Sequence, residues 1–327
     1  MTDAVARRKP SGRVILLIKV AISGLLLAVL FWRVDRTAVV RSLGSLPLPV
    51  FLACAGLYVL GYVISTVRWR ILLRAEGMRI PLWRLSLVYF QGAFFNLFLP
   101  TIIGGDIVRG VFIHRLTGGH NASVASILVD RLSGFAALLT IALAALLVPS
   151  GMLGNSQVAV MIVGIAALFA ALMAVLVSER LMDRASGLLR LAGLERFQAK
   201  LQGMMEALRR YRKHRRALAQ AFLLSVLLQA LIIVTYYFIG VGLNLGVPLL
   251  YFFLFVPLIT ALAMLPVSVA GLGVRESGVV YFFAKVGVGA GPALGMSLVW
   301  FSLTVVVSAL GGLAFLLDTH AAKRIQD

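Results

Sequence analysis

The sequence predicts an all-α polytopic membrane protein, with about six full transmembrane helices and two oppositely oriented re-entrant or broken helical segments in an inverted-repeat-like arrangement. Three observations carry this expectation. The 327 residues are 61% hydrophobic and 13% charged, with a mean hydropathy of +1.00, whereas soluble domains are about half apolar and about a quarter charged. Apolar runs recur from residue 14 to residue 317, which excludes a soluble enzyme with one appended anchor. Finally, Lys and Arg gather at the ends of those runs, as they do in the cytoplasmic loops of membrane proteins.

A spanning helix needs about 20 mostly apolar residues. The runs that qualify are 14–32, 48–67, 121–148, 157–177, 217–243 and 292–317. The first follows Arg7, Arg8, Lys9 and Arg13 and precedes no small-x-small cleavage site, so it reads as an uncleaved span. Two other apolar stretches are interrupted. The stretch 85–103 breaks at Pro100 and runs into Gly104, Gly105 and Asp106; the stretch 249–288 breaks at Pro257 and Pro266 and contains Gly271, Gly273, Arg275 and Glu276.

Loop charge sets the threading. The segments 68–84 and 180–216 are strongly basic, while 149–156, 244–247 and 289–291 carry no charge. With the N-terminus inside, parity makes residues 85–118 enter and leave on the cytoplasmic side and residues 248–288 on the outer side. The expected organisation is a single membrane domain over 1–327, both termini cytoplasmic, in the cell (inner) membrane. Its first half is 14–177 with the re-entrant segment 85–118, and its second half is 217–317 with the re-entrant segment 248–288. Between them lies the basic amphipathic segment 178–216. Such paired, oppositely entering, Gly/Pro-interrupted segments mark the binding site in inverted-repeat transporters.

The net charge of +19 would suggest nucleic acid in a soluble chain. Its location at span ends, without a recognition motif, makes lipid the expected partner and excludes nucleic acid. The single cysteine, Cys54, lies in an apolar run and allows no intramolecular disulfide. The four histidines lack metal-ligand spacing, and neither a nucleotide-binding loop nor an acidic metal cluster is present, so no metal and no cofactor is expected.

The charged residues within apolar segments define the candidate site. Intramembrane charges are expensive and mark pathways or ligand counter-ions. Asp106, Arg109, Asp130, Arg131, Arg275 and Glu276 sum to zero, and Lys285 would leave one surplus cation suited to an anionic headgroup. Arginine suits phosphate because its fork donates two parallel hydrogen bonds. Asp106 is placed to cap the helix that follows it. Asn96 and Gln91 are placed to hydrogen-bond a headgroup or a neighbouring helix. Adjacent Asp130 and Arg131 point about 100° apart on a helix. Asp130 must therefore pair elsewhere or be protonated, and pairing with Arg275 is the expectation. Gly291 and Gly295 fit close helix packing. In the basic segment from Arg180 to Arg216, a stripe of Leu194, Phe197, Leu201, Met204, Leu208 and Tyr211 predicts a helix lying on the inner leaflet, held by anionic lipids.

The motifs Asn96-Leu97-Phe98-Leu99-Pro100 with Gly104-Gly105-Asp106 and Arg109, then Asp130-Arg131, then Pro266 with Gly271-Leu272-Gly273-Val274-Arg275-Glu276 resemble the lysylphosphatidylglycerol synthase transmembrane region, or flippase-like domain, over nearly the whole chain. The resemblance implies a membrane unit that moves lipid between leaflets. In well-known members it is fused to a soluble aminoacyl transferase. Ten residues follow Leu317, so lysyl transfer is not expected here. The resemblance thus implies a translocator of an anionic, phosphate-bearing or polyprenyl-phosphate-linked lipid, whose substrate-binding residues are Asn96, Gly104, Gly105, Asp106, Arg109, Asp130, Arg131, Gly271, Gly273, Arg275 and Glu276. The alternatives are a membrane-embedded transferase of lipid or polyprenyl-phosphate glycoconjugate synthesis, or an assembly partner of a separate lipid-modifying enzyme.

Overall fold

The computed structural model describes residues 12–33, 35–98, 104–117, 120–148, 156–191, 195–264, 268–269 and 271–323. Among these residues all regular structure is helical, in thirteen helices: α1 (Gly12–Arg33), α2 (Arg36–Gly44), α3 (Leu48–Ala75), α4 (Leu82–Phe98), α5 (Gly104–Thr117), α6 (His120–Leu146), α7 (Ser156–Val177), α8 (Glu179–Leu191), α9 (Glu195–Tyr211), α10 (Arg215–Gly242), α11 (Leu249–Ala263), α12 (Val274–Ala284) and α13 (Ala290–Lys323). Among the described residues, five stretches are long and apolar enough to cross a bilayer: Leu48–Ala75, Ala122–Leu146, Gln157–Val177, Arg215–Gly242 and Ala290–Leu316. The remaining expected span, 14–32, lies within α1. The chain is a multi-pass, all-α membrane protein.

The long helices form the frame. α3 packs along α10, α10 along α6, and α13 along α4, α2 and α12. Apolar burial does not drive helix association against lipid, so close packing of small residues has to. Gly291 and Gly295 serve this purpose as expected: a Cβ on Gly291 would lie 2.7 Å from the Cβ of Ala38, and one on Gly295 3.0 Å from Ser42 Oγ. At the far end of α13, a Cβ on Gly311 would collide with the carbonyl of Phe90 on α4.

Each interrupted stretch is a pair of short helices. α4 and α5 have 17 and 14 residues, and α11 and α12 have 15 and 11; each is shorter than a full span requires. The partners of each pair pack on one another. The break at Pro100 lies outside the described residues, as does that at Pro266. The break expected at Pro257 does not occur, because Pro257 lies inside α11 and is buried. Its ring removes only one backbone donor, and buried neighbours support the helix around it.

Two further expectations change, both at basic segments, and one further helix forms. The basic stretch 68–84 is not a loop from its start: α3 continues to Ala75, which carries Arg68, Arg70 and Arg74 in helix, and α4 takes up Arg84. Residues 36–44 form α2, opened by Asp35, whose carboxylate accepts the Thr37 N–H at 2.8 Å and its hydroxyl at 2.7 Å. These bonds hold the Asp35 carboxyl below the usual carboxylate range. The basic segment folds as two helices, α8 and α9, and α9 packs on α6, α7 and α8. Leu201 and Tyr211 from its stripe are buried, with Met204 and Leu208 partly so. These four side chains therefore pack at least partly against protein. The Tyr211 hydroxyl donates to the carbonyl of Leu72 at 3.0 Å, and burial raises its pKa. Leu194 lies outside the described residues.

Candidate functional site

Three helices bring five charged side chains together beside one cavity. Asp106 and Arg109 lie three residues apart on α5, on one face, and bond to each other at 3.1 Å. α6 supplies Asp130 and Arg131, and α3 supplies Arg68. The Asp130 carboxylate accepts from Arg68 Nε at 2.7 Å and from Arg109 Nη2 at 3.1 Å. Arg131 Nε donates to the other oxygen of Asp106 at 2.8 Å. The 100° between Asp130 and Arg131 thus lets α6 address two partners, one on each side. The chain of pairs runs Arg68–Asp130–Arg109–Asp106–Arg131, and three arginines against two carboxylates leave one positive charge.

Asp130 pairs with Arg68 and Arg109, not with Arg275 as the sequence suggested. Neighbouring groups complete the array. Arg68 Nη1 donates to Ser225 Oγ on α10 at 2.8 Å. The Arg109 guanidinium carbon lies 4.2 Å from the Trp69 ring centroid and 4.3 Å from that of Tyr89, within cation–π range. Trp69 Nε1 donates to Ser126 Oγ at 3.1 Å. Burying ions without such partners costs several kcal/mol each. Exposure separates the arginines: the side chains of Arg68 and Arg109 are 7% and 5% exposed, that of Arg131 39%.

The backbone explains how α5 reaches this position. Asn96, from the last turn of α4, accepts the Gly105 N–H through its side-chain oxygen at 2.6 Å. Asn96 therefore supplies the cap expected of Asp106, whose two oxygens receive Arg109 and Arg131 instead. A Cβ on Gly105 would collide with the carbonyl of Gly92, so only glycine lets α4 and α5 meet this closely. Gly104 begins α5.

The array borders a cavity of about 270 Å³. Its walls include Tyr58, Tyr62 and Ser65 of α3, Tyr89 and Asn96 of α4, Gly105, Asp106 and Arg109 of α5, Asp130 and Arg131 of α6, Gln229 of α10 and Trp300 of α13. Gln91 is buried, and its Nε2 has no hydrogen-bond partner among the described residues.

The second interruption builds a different cluster. Gly271 and Gly273 both have positive φ, at 77° and 81°, which glycine adopts at no steric cost. The Gly273 N–H donates to Glu276 Oε2 at 2.7 Å. Glu276 Oε1 accepts from its neighbour Arg275 at 2.6 Å and from Ser297 at 3.3 Å, and Arg275 lies over the Phe301 ring at 5.7 Å. These four residues are not among the cavity's lining. Lys285, expected as the surplus cation, donates to Gln157 at 3.1 Å near Tyr281. The surplus comes from Arg68, which sequence reasoning left in a loop. The signal was present: Trp69, Ile71, Leu72 and Leu73 extend the apolar pattern past Arg68, and the first glycine is Gly77.

A family model described as "Lysylphosphatidylglycerol synthase TM region" matches residues 16–312. No curated protein matches the chain.

Proposed function

Because this chain belongs to the lysylphosphatidylglycerol synthase TM region family, we propose that it is a flippase-like translocator of a lipid with an anionic, phosphate-bearing headgroup. The observation that carries this reading is the cavity bordered by three arginines and two carboxylates inside an apolar bundle. One net positive charge in a low-dielectric surrounding attracts a single anion strongly. Asp106 and Asp130 orient the arginines and prevent a larger excess that would trap the ligand.

In this reading Arg131, 39% exposed, meets the phosphate, and Asn96 and Gln229 supply hydrogen bonds. The N-terminus of α5 adds oriented N–H groups and the positive end of a helix dipole. The pairs α4–α5 and α11–α12 enter from opposite faces of the cell membrane, with both chain termini cytoplasmic. Gly271, Gly273, Arg275 and Glu276 form the second half's counterpart of the first site, and alternate movement of the two pairs exposes the cavity to each leaflet in turn.

The test is transport in liposomes containing the purified protein alone, with fluorescent phosphatidylglycerol and phosphatidylcholine compared. Faster movement of the anionic lipid, reduced about tenfold or more in Arg131→Gln, is expected, with folding retained because Arg131 is the most exposed of the three arginines. Equal rates for both lipids, or for wild type and variant, would sink the proposal.

A further inference from the structure

A second cavity, of about 420 Å³, lies between α6, α7, α9 and α10. Its volume is in the range of ligand sites, roughly 300–1,000 Å³. Its body is apolar, formed by Leu132 and Ala136 of α6, Phe169 and Met173 of α7 and Phe222 of α10. Arg209 and Arg212 line the same cavity and are exposed. Arg209 bonds to Glu179 at 2.7 Å, and Arg212 forms no ion pair among the described residues.

The position of these groups along their helices gives the cavity two different ends. Val177, the last residue of α7, and Leu218, in the first turn of α10, lie where those helices meet α8 and α9. Phe169 lies eight residues back along α7, about 12 Å deeper. An apolar slot of that depth beneath two guanidinium groups has the polarity of a phospholipid reversed into a mould: hydrocarbon below, anion above. Water has few partners in the slot, since an apolar cavity stays dry. Arginine at the mouth supplies the fork that phosphate takes in two parallel hydrogen bonds. α6 separates this cavity from the central one, with Ser133 lining the first and Asp130, Arg131 and Gly134 lining the second.

We propose that this cavity is a resident-lipid site, holding one acyl chain of an anionic phospholipid from the leaflet beside α8 and α9, with the phosphate bound by Arg209 and Arg212. This site is independent of the transport reading, because it shares no lining residue with the central cavity.

Native mass spectrometry of the full-length protein, titrated with phosphatidylglycerol, phosphatidylcholine or inorganic phosphate, tests it. The expected result is a tight phosphatidylglycerol adduct whose half-saturation rises roughly 10- to 30-fold in Arg209→Gln/Arg212→Gln. Ala136→Trp, which fills the slot and leaves both arginines, should lose the same adduct. Lys213→Gln/Arg215→Gln, which removes nearby charge away from the slot, should weaken it far less. Unchanged binding in the Arg209/Arg212 variant, equal weakening in the Lys213/Arg215 variant, or equal binding of phosphatidylcholine would each overturn the proposal. Competition by inorganic phosphate as effective as by lipid would reduce the site to an anion site and overturn it as well.

Discussion

All four carboxylate oxygens of Asp106 and Asp130 accept from an arginine; neutralising Asp130 strands the buried Arg68, whereas Asp106 keeps Arg109 when Arg131 is changed. Asp130→Asn is expected to lower stability by about 3–5 kcal/mol, measured by thermal unfolding in detergent. Adding Arg68→Met should recover a substantial part of that loss, because the stranded cation is then gone. Adding Arg275→Gln should recover nothing; recovery there would contradict the pairing described. The charges on α5 and α6 were legible in the sequence because they interrupt apolar runs. Arg68 was not, because Arg70, Arg74, Arg79 and Arg84 follow it and make the whole stretch read as a cytoplasmic loop. Burial on α3 depends on which face meets α6 and α10, and one helix's sequence does not state that. Arg275 and Glu276 were legible as charges but not as partners of each other: sequence neighbours on a helix usually diverge, and here Arg275 folds back onto Glu276 at 2.6 Å.

At the scale of elements, the tightest approach near the site is that of Gly105 to Gly92. Gly105→Ala should separate α4 from α5 and destabilise the protein by about 1–3 kcal/mol, whereas Gly56→Ala, with nothing within 4 Å of its Cβ, should be neutral or slightly stabilising. Thermal midpoints of the two variants, compared in one detergent, check this. Tyr211→Phe removes the hydrogen bond that joins α9 to α3 and should lower stability by about 1 kcal/mol; an unchanged midpoint would mean that apolar packing alone holds α9 in place. The long spans were legible because composition and length suffice to identify them. α2 was not, since Arg36 and Arg41 in nine residues hide a helix whose small residues dock on α13. Pro257 misled for the opposite reason, because a local rule for proline was outweighed by the packing around α11.

For the molecule as a whole, the concentration of positive charge at helix ends is what predicts its orientation. Single cysteines at Leu116 and Gly289, introduced without Cys54, are expected to react with an impermeant thiol reagent from the cytoplasm and from outside, respectively. Both positions are exposed, so access is set by the side of the membrane they face. Reaction of both from the same side would remove the opposed entry of α4–α5 and α11–α12 on which alternating access rests. Charge counting predicts this topology, but which helices touch across the bundle is a property of shape. α4 against α13, about two hundred residues apart in sequence, has no signature in either helix alone.

Cys54 is fully buried at the contact of α3 with α10, its sulfur 3.9 Å from the carbonyl of Thr235. A small thiol reagent reaches that sulfur only while the two helices stand apart. The speed at which the native thiol is consumed is therefore a clock for the opening of the α3–α10 contact. Ligands that clamp the bundle slow the clock and those that loosen it make it run faster, with no label added to the chain.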